Sequence, residues 1–219
     1  MRFQMTTAAL DNDILFKGAC YGLLERFVAV IPAELHQTGF LGAAPFVLRA
    51  RLQKVALSKA PEEVLEQLQS LFKMGVALEP TPDETKIAAD IEFAAQRNNL
   101  GLDAGESQLC AIVITREIQS LITGDKRAIR ALESLLLQDE RVKILSGKVI
   151  CLEQLAVRAI NEDGPAAIRN SVCSEIEVDR SLAISFECSN PNPSPDVGLA
   201  GLQSYIEDLR KTAKTLLVA

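Results

Sequence analysis

Apolar residues recur at helical spacing from residue 14 to 31 and stop at Pro32, which predicts a helix behind a short β-prone run at 6–10 that ends on Asp11. The segment GFLGAAPFVLRARLQKVAL is less regular: its Gly and Pro suit an irregular connection, and 47–57 fits strand or helix alike. PEEVLEQLQSLFKMG carries Pro in its first turn, early glutamates and a terminal Gly75, the pattern of a helix. Val76–Leu78 follows as a short strand. Thr81 or Asp83 caps the next helix, through IAADIEFAAQRNN; then come helix 104–117, strand Ser120–Thr123, helix 126–137 and strand Val142–Leu145. Short apolar strands alternating with helices predict an α/β domain with a mainly parallel sheet over residues 1–150.

Beyond residue 150 the pattern changes to a mostly helical extension, 151–219. CLEQLAVRAINEDG and GPAAIRNSV read as helices, SLAISFEC as an additional strand, and SNPNPSPDVG (near 189–198) as a Pro/Ser/Asn-rich linker. A last helix is expected over 198–217. Its Leu199, Leu202, Ile206, Leu209, Ala213 and Leu216 repeat at alternating spacings of three and four. So narrow a seam suits one partner helix and predicts a homodimer held by tail pairing or by docking on the neighbouring subunit, with folding back on its own domain as the alternative.

Composition narrows the classes. With 48% hydrophobic and 24% charged residues the chain is an ordinary globular one, and 219 residues suffice for one sizeable core. A net charge of −6 rules out attraction of nucleic acid to the whole surface; such a partner needs a local patch, for which Arg49, Arg51 and Lys54, or Lys126, Arg127 and Arg130, are candidates. Five scattered cysteines without a Cys-x-x-Cys pair predict reduced core thiols in an intracellular protein. A single His36 excludes a His-rich metal site and a Ser-His-Asp triad. The opening residues lack the apolar core of a signal peptide, and no apolar run approaches the roughly 20 residues of a membrane span, so a cytoplasmic location away from membranes is expected. A Walker-type phosphate loop is absent as well.

The acids are the candidate chemistry. Asp11 falls where the first strand ends, Asp125 just after strand Ser120–Thr123, and Asp103 and Glu106 open the helix between them. Ligands of an open α/β sheet bind beyond the carboxyl ends of its strands. If the two strands are neighbours, four carboxylates gather at one pole. A cluster of oxygen donors alone suits Mg²⁺ or Mn²⁺, and without a cation its mutual repulsion raises carboxyl pKa values. Singly, each acid also fits a helix cap: Asp103 and Glu106 have capping-box spacing, and Asp125 can cap helix 126–137.

In order and spacing, Leu10-Asp11-Asn12-Asp13-Ile14-Leu15, then Asp103-Ala104-Gly105-Glu106, then Thr123-Gly124-Asp125, then RVKIL as a last core strand, resemble the motifs of PIN-domain proteins over roughly residues 5–147. The resemblance implies a three-layer α/β/α fold and a metal-dependent ribonuclease of the kind found among bacterial toxins, with RNA as substrate and a protein inhibitor as a further partner. It implies Asp11, Glu106 and Asp125 as catalytic metal ligands, Asp103 as a fourth or supporting group, and Thr123 orienting a ligand or a metal-bound water. Lys126 and Arg127 would position the RNA strand at the rim. Two departures matter. The family's acid after the first helix is missing, with Arg49 and Arg51 in that region and Glu34 the nearest upstream carboxylate; Asp13 replaces the usual Asn and can supply the missing charge. A catalytically degenerate, PIN-like binding protein is therefore the alternative. Asp11-Asn12-Asp13 and Gly124-Asp125 also imitate haloacid-dehalogenase-type phosphatases, with Asp11 as nucleophile and Asp13 as general acid. Ile14, Leu15 and Phe16, and the acid-free KRAIRAL, depart from that pattern.

Overall fold

The computed structural model describes residues 6–194 and 196–219. These residues build an all-parallel sheet from β1 (Ala8–Leu10), β2 (Thr38–Leu41), β3 (Val76–Leu78), β4 (Ser120–Thr123) and β5 (Val149–Cys151), in the order β3-β2-β1-β4-β5. Leu10 is in register with Phe40 on one side and Ile122 on the other, and Ile122 with Ile150. These four side chains enter one core, while Ala9, Leu41, Leu121 and Val149 enter the other. Burial on both faces is why β1 and β5 read as unbroken apolar runs rather than as alternating ones.

The helices follow as α1 (Asn12–Tyr21), α2 (Leu24–Ala29), α3 (Ala44–Leu52), α4 (Pro61–Met74), α5 (Pro82–Arg97) and α6 (Ala104–Thr115). After them come α7 (Lys126–Leu135), α8 (Leu152–Asp163), α9 (Pro165–Cys173), α10 (Arg180–Ser185) and α11 (Leu199–Thr212). α1–α4 and α8–α10 fill the first core; α5, α6 and α7 fill the second, and α11 reaches both through Leu202 and Leu209. The expected helix over 14–31 is interrupted by Gly22, whose φ of 72° ends α1 in the left-handed region that glycine tolerates. Glu84 ties α5 to α6. It completes the capping box of Thr81 and also takes Arg116 Nε and Nη2 at 2.8 Å each, which holds its carboxyl down at about 2.

Several expectations are corrected. Residues 142–145 form a 3₁₀ turn, not a strand: Val142 and Leu145, three apart, are buried while Ile144 is exposed, a helical and not an alternating pattern. β5 uses Val149–Cys151 instead. SLAISFEC is helical as far as Ser185 and then turns, because Asp179 caps α10 through Leu182 N and the buried Leu182 and Phe186 lie four apart. The irregular segment around Gly39 holds β2; a side chain at Gly39 would collide with Leu78, so a residue that argues against a strand is needed inside one. Cys173 and Cys188 form a disulfide, so only Cys20, Cys110 and Cys151 are the buried thiols expected of all five.

The tail is corrected too. Leu202, Leu209, Ala213 and Leu216 are buried within the chain itself, so the seam packs on its own domain. Residues 215–218 run beside β5, with Val149 bridged to Leu217 in parallel. Pro195 of the linker lies outside the described residues. Among the described residues, no helix is long and apolar enough to cross a membrane.

Candidate functional site

β1 and β4 are neighbours although their chain connections leave in opposite directions across the sheet, which makes the space beyond their carboxyl ends its topological switch point. The pairing carries on past the strand: Asp11 N–H donates to Ile122 O at 2.9 Å. Asp11 then caps α1, with Oδ1 accepting from Asn12 N at 2.7 Å, while Oδ2 accepts the Thr123 hydroxyl at 3.0 Å. Thr123 Oγ1 in turn accepts from Asp125 N at 3.2 Å. One threonine therefore joins the two motif aspartates.

Glu106 arrives from α6. Asp103 Oδ1 accepts Glu106 N and Glu106 Oε2 accepts Asp103 N, both at 2.8 Å, which leaves Glu106 Oε1 free of the reciprocal cap. Asp11, Glu106 and Thr123 line one small cavity, closed by Leu109, Cys110 and Leu132. Its volume is about 10 Å³, room for roughly one water-sized sphere. Burial, then the neighbouring charge of Asp13, pushes the Asp11 carboxyl up to about 6 against the pull of Thr123 and Asn12. Burial, aided by the charges of Asp103, Asp125 and Asp11, pushes Glu106 to about 8.

Asp125 behaves differently. Its Oδ1 caps α7 through Arg127 N at 2.7 Å and Ala128 N at 3.3 Å, and its Oδ2 lies 2.5 Å from Arg127 Nη2. Burial opposes ionisation there, but the Arg127 contacts prevail and the carboxyl is held low. Asp13 faces away from the cavity: Oδ2 meets Lys17 Nζ at 2.6 Å and Oδ1 meets Arg51 Nη2 at 3.1 Å. Arg51 lies over the Phe16 ring and pairs with Asp13. Gly124 makes room for this arrangement, since a methyl group there would overlap Asp13 Oδ2.

Of the candidate rim cations, Arg127 is exposed. Lys126 turns inward to the buried Glu153 at 2.5 Å, donates to Ser181 Oγ at 2.8 Å, and lies 5.0 Å from the centre of the Tyr205 ring. Arg130 spans to Asp208 and Thr212 of α11. No family model, no curated protein and no solved structure matches the chain. Among the described residues, no group of three or more His, Cys, Asp or Glu side chains stands close enough to hold a metal ion. The donors at the cavity, Asp11 and Glu106, are carboxyl oxygens whose pKa values are raised by burial and by neighbouring negative charge, and oxygen donors of this kind are those a hard divalent cation takes.

Sequence reasoning passed over Lys17 and Asp179. Lys17 stands four residues after Asp13 on α1, a spacing that signals an ion pair. Asp179 lies in the stretch read as leading to a strand, where a cap is not sought; its carboxylate reaches Lys17 at 2.6 Å.

Proposed function

We propose that this chain is a PIN-like ribonuclease hydrolysing RNA phosphodiester bonds with Mg²⁺ or Mn²⁺. The observation that supports this reading best is the shared cavity of Asp11 and Glu106 at the switch point of the sheet, with Thr123 fixing the Asp11 carboxylate from the neighbouring strand. Asp11 and Glu106 would hold the metal from within, and Asp103 and Asp125 would complete the acidic pole from its rim. A bound divalent ion would supply polarisation of the phosphate and a more acidic water. Thr123 keeps the Asp11 oxygens oriented, and the two caps fix the helix ends to which Glu106 and Asp125 belong. Arg127 is the cation at the rim that can meet a phosphate, at the expense of its bond to Asp125.

A PIN-like binding protein without chemistry is the second reading, favoured by one observation. The chain neutralises two acids with its own cations, Asp125 with Arg127 and Asp13 with Lys17 and Arg51. The phosphatase reading has less support, because the Asp13 carboxylate is turned to those cations rather than toward Asp11. The deciding experiment incubates purified protein with single-stranded RNA and Mg²⁺ or Mn²⁺ beside an EDTA control and an Asp11→Asn variant. Metal-dependent cleavage lost in the variant supports the nuclease. RNA binding without cleavage in either metal supports the second reading.

A further inference from the structure

Cys173 ends α9, Cys188 follows α10, and their disulfide closes a loop with a sequence separation of 15. Side chains from inside that loop reach well beyond it. Asp179 Oδ2 sits 2.6 Å from Lys17 Nζ, and Ser181 Oγ accepts from Lys126 Nζ at 2.8 Å. Asp179 Oδ1 also caps α10 through Leu182 N and accepts the Ser181 hydroxyl, each at 2.9 Å. One carboxylate thus organises the loop's helix and both outward contacts. The two lysines are neighbours of the acidic pole: Lys17 pairs with Asp13, and Lys126 follows Asp125 in the chain.

α10 has six residues, far fewer than a helix needs to persist unaided. Apart from the disulfide, the loop is held by the buried Leu182 and Phe186, by the close approach of Gly198 and Gly201 of the α11 end to Phe186 and Ser185, by Glu175 on the backbone of Ser58 and Lys59, and by Arg169 on the carbonyls of Phe186 and Glu187. Both cysteines are only half-buried, and surface clefts open on either side of the bridge, one along Arg180 and Ile184, the other along Ser58 and Ser174. A small dithiol, or a protein carrying one, has access from two directions.

We propose that the Cys173–Cys188 disulfide is a redox lock: its reduction by a dithiol loosens the 174–187 loop, withdraws Asp179 and Ser181 from Lys17 and Lys126, and uncovers both lysines. One thiolate of the dithiol attacks a cysteine sulfur, the S–S bond breaks, and the other cysteine leaves as a thiolate that takes up a proton. The second thiol of the reagent then displaces the first cysteine, so the reagent leaves oxidised and the protein has gained two electrons and two protons. Opening a ring of this size favours the open loop on the order of a hundredfold. Lys17 is left with Asp13 and Arg51 around it, one counter-charge fewer than before, and Lys126 keeps Glu153 while losing the cover that Ser181 gave it.

The test needs neither metal nor RNA. Thiol titration of the denatured protein counts three thiols before reduction and five after, since two of the five cysteines are paired; five before reduction overturns the proposal. Amine-reactive labelling with peptide mass mapping then compares oxidised protein, protein reduced with dithiothreitol, and the Cys188→Ser variant. Labelling of Lys17 and Lys126 rises on the order of tenfold or more in the last two, while the distant Lys86 and Lys143 keep their rates. Unchanged labelling of Lys17 and Lys126 after complete reduction overturns the lock and leaves the bridge a static staple. Equal acceleration at every lysine overturns it too, because reduction would then unfold the whole chain.

Discussion

Replacing Asp11 by Asn should stabilise the metal-free protein. The buried Asp11 carboxyl has its pKa pushed to about 6, against 3.8 for an ordinary aspartate. Its charged form is therefore tolerated less well in the folded chain than in the unfolded one. The gap corresponds to roughly 3 kcal/mol of destabilisation once the group is ionised in both states. Asn caps a helix about as well as Asp, and its amide can donate to Thr123 Oγ1 where the carboxylate accepted from it. Allowing for local relaxation, the expected gain is about 1–2 kcal/mol, or a rise in Tm of several degrees for a chain of this size. The sign follows from linkage. A raised folded pKa means the folded state binds the proton more tightly, so the penalty is absent below pH 3.8, grows as pH rises toward about 6, and is complete above it. Thermal denaturation in EDTA at pH 4 and pH 7.5 measures this: the two proteins should melt nearly together at pH 4 and separate at pH 7.5. An Asn variant no more stable than wild type at pH 7.5 refutes the reasoning, as does an equal gain at both pH values. Millimolar Mn²⁺ should raise the wild-type Tm and leave the variant unmoved, by mass action on a native-state site.

Glu84→Gln should cost about 1–2 kcal/mol at pH 7, a figure reduced for the solvent around Arg116. Because the folded pKa is depressed to about 2 from 4.5, chiefly by Arg116, that stability is present above pH 4.5 and lost as pH falls through 2. Urea titrations of both proteins at pH 7 and pH 2 should therefore converge at the lower pH, and a gap that persists there refutes it. Gly124→Ala should cost about 1–3 kcal/mol by forcing Asp13 off Lys17, read as a lower urea midpoint; wild-type stability would mean the turn yields freely. Leu209→Ala, in the tail seam, should lose about 2–5 kcal/mol without a change in molecular mass by light scattering. A drop in mass at unchanged stability would restore the seam to an interface between chains.

Much of the α/β pattern is local and could be read locally. Val76–Leu78 and Ser120–Thr123 stand as strands at the residues expected, because each is a short apolar run bracketed by helix signals. The reciprocal bonds of Asp103 and Glu106 follow from their spacing alone. The meeting of Asp11 with Thr123 required one further condition, that their strands be neighbours, and the sheet order meets it. What escaped depends on partners distant in the chain. Gly39 looks like a breaker until the Leu78 side chain occupies its missing Cβ. Cys173 and Cys188 do not announce their pairing, since spacing among five cysteines does not determine connectivity. Arg51 reads as surface charge until α3 lies beside Asp13, and the tail seam points inward because the vacancy it fills is made by α8, α10 and α7. Amphipathic spacing announces that a face will be covered, not by which chain.

β5 is an outer strand of the sheet, and outer strands carry unpaired backbone groups that invite another chain. Here the tail meets that need: Val149 N–H donates to Leu216 O at 3.0 Å, Val149 O accepts Val218 N–H at 2.9 Å, and Gly147 N–H reaches Thr215 O at 2.8 Å. Four residues of irregular backbone thus act as a guard rail along an apolar margin. Their loss would bare Val149 together with the hydrogen-bonding groups beside it. The last residues of a segment that looks in the sequence like a handle for another chain are spent, in the folded one, on its own sheet margin.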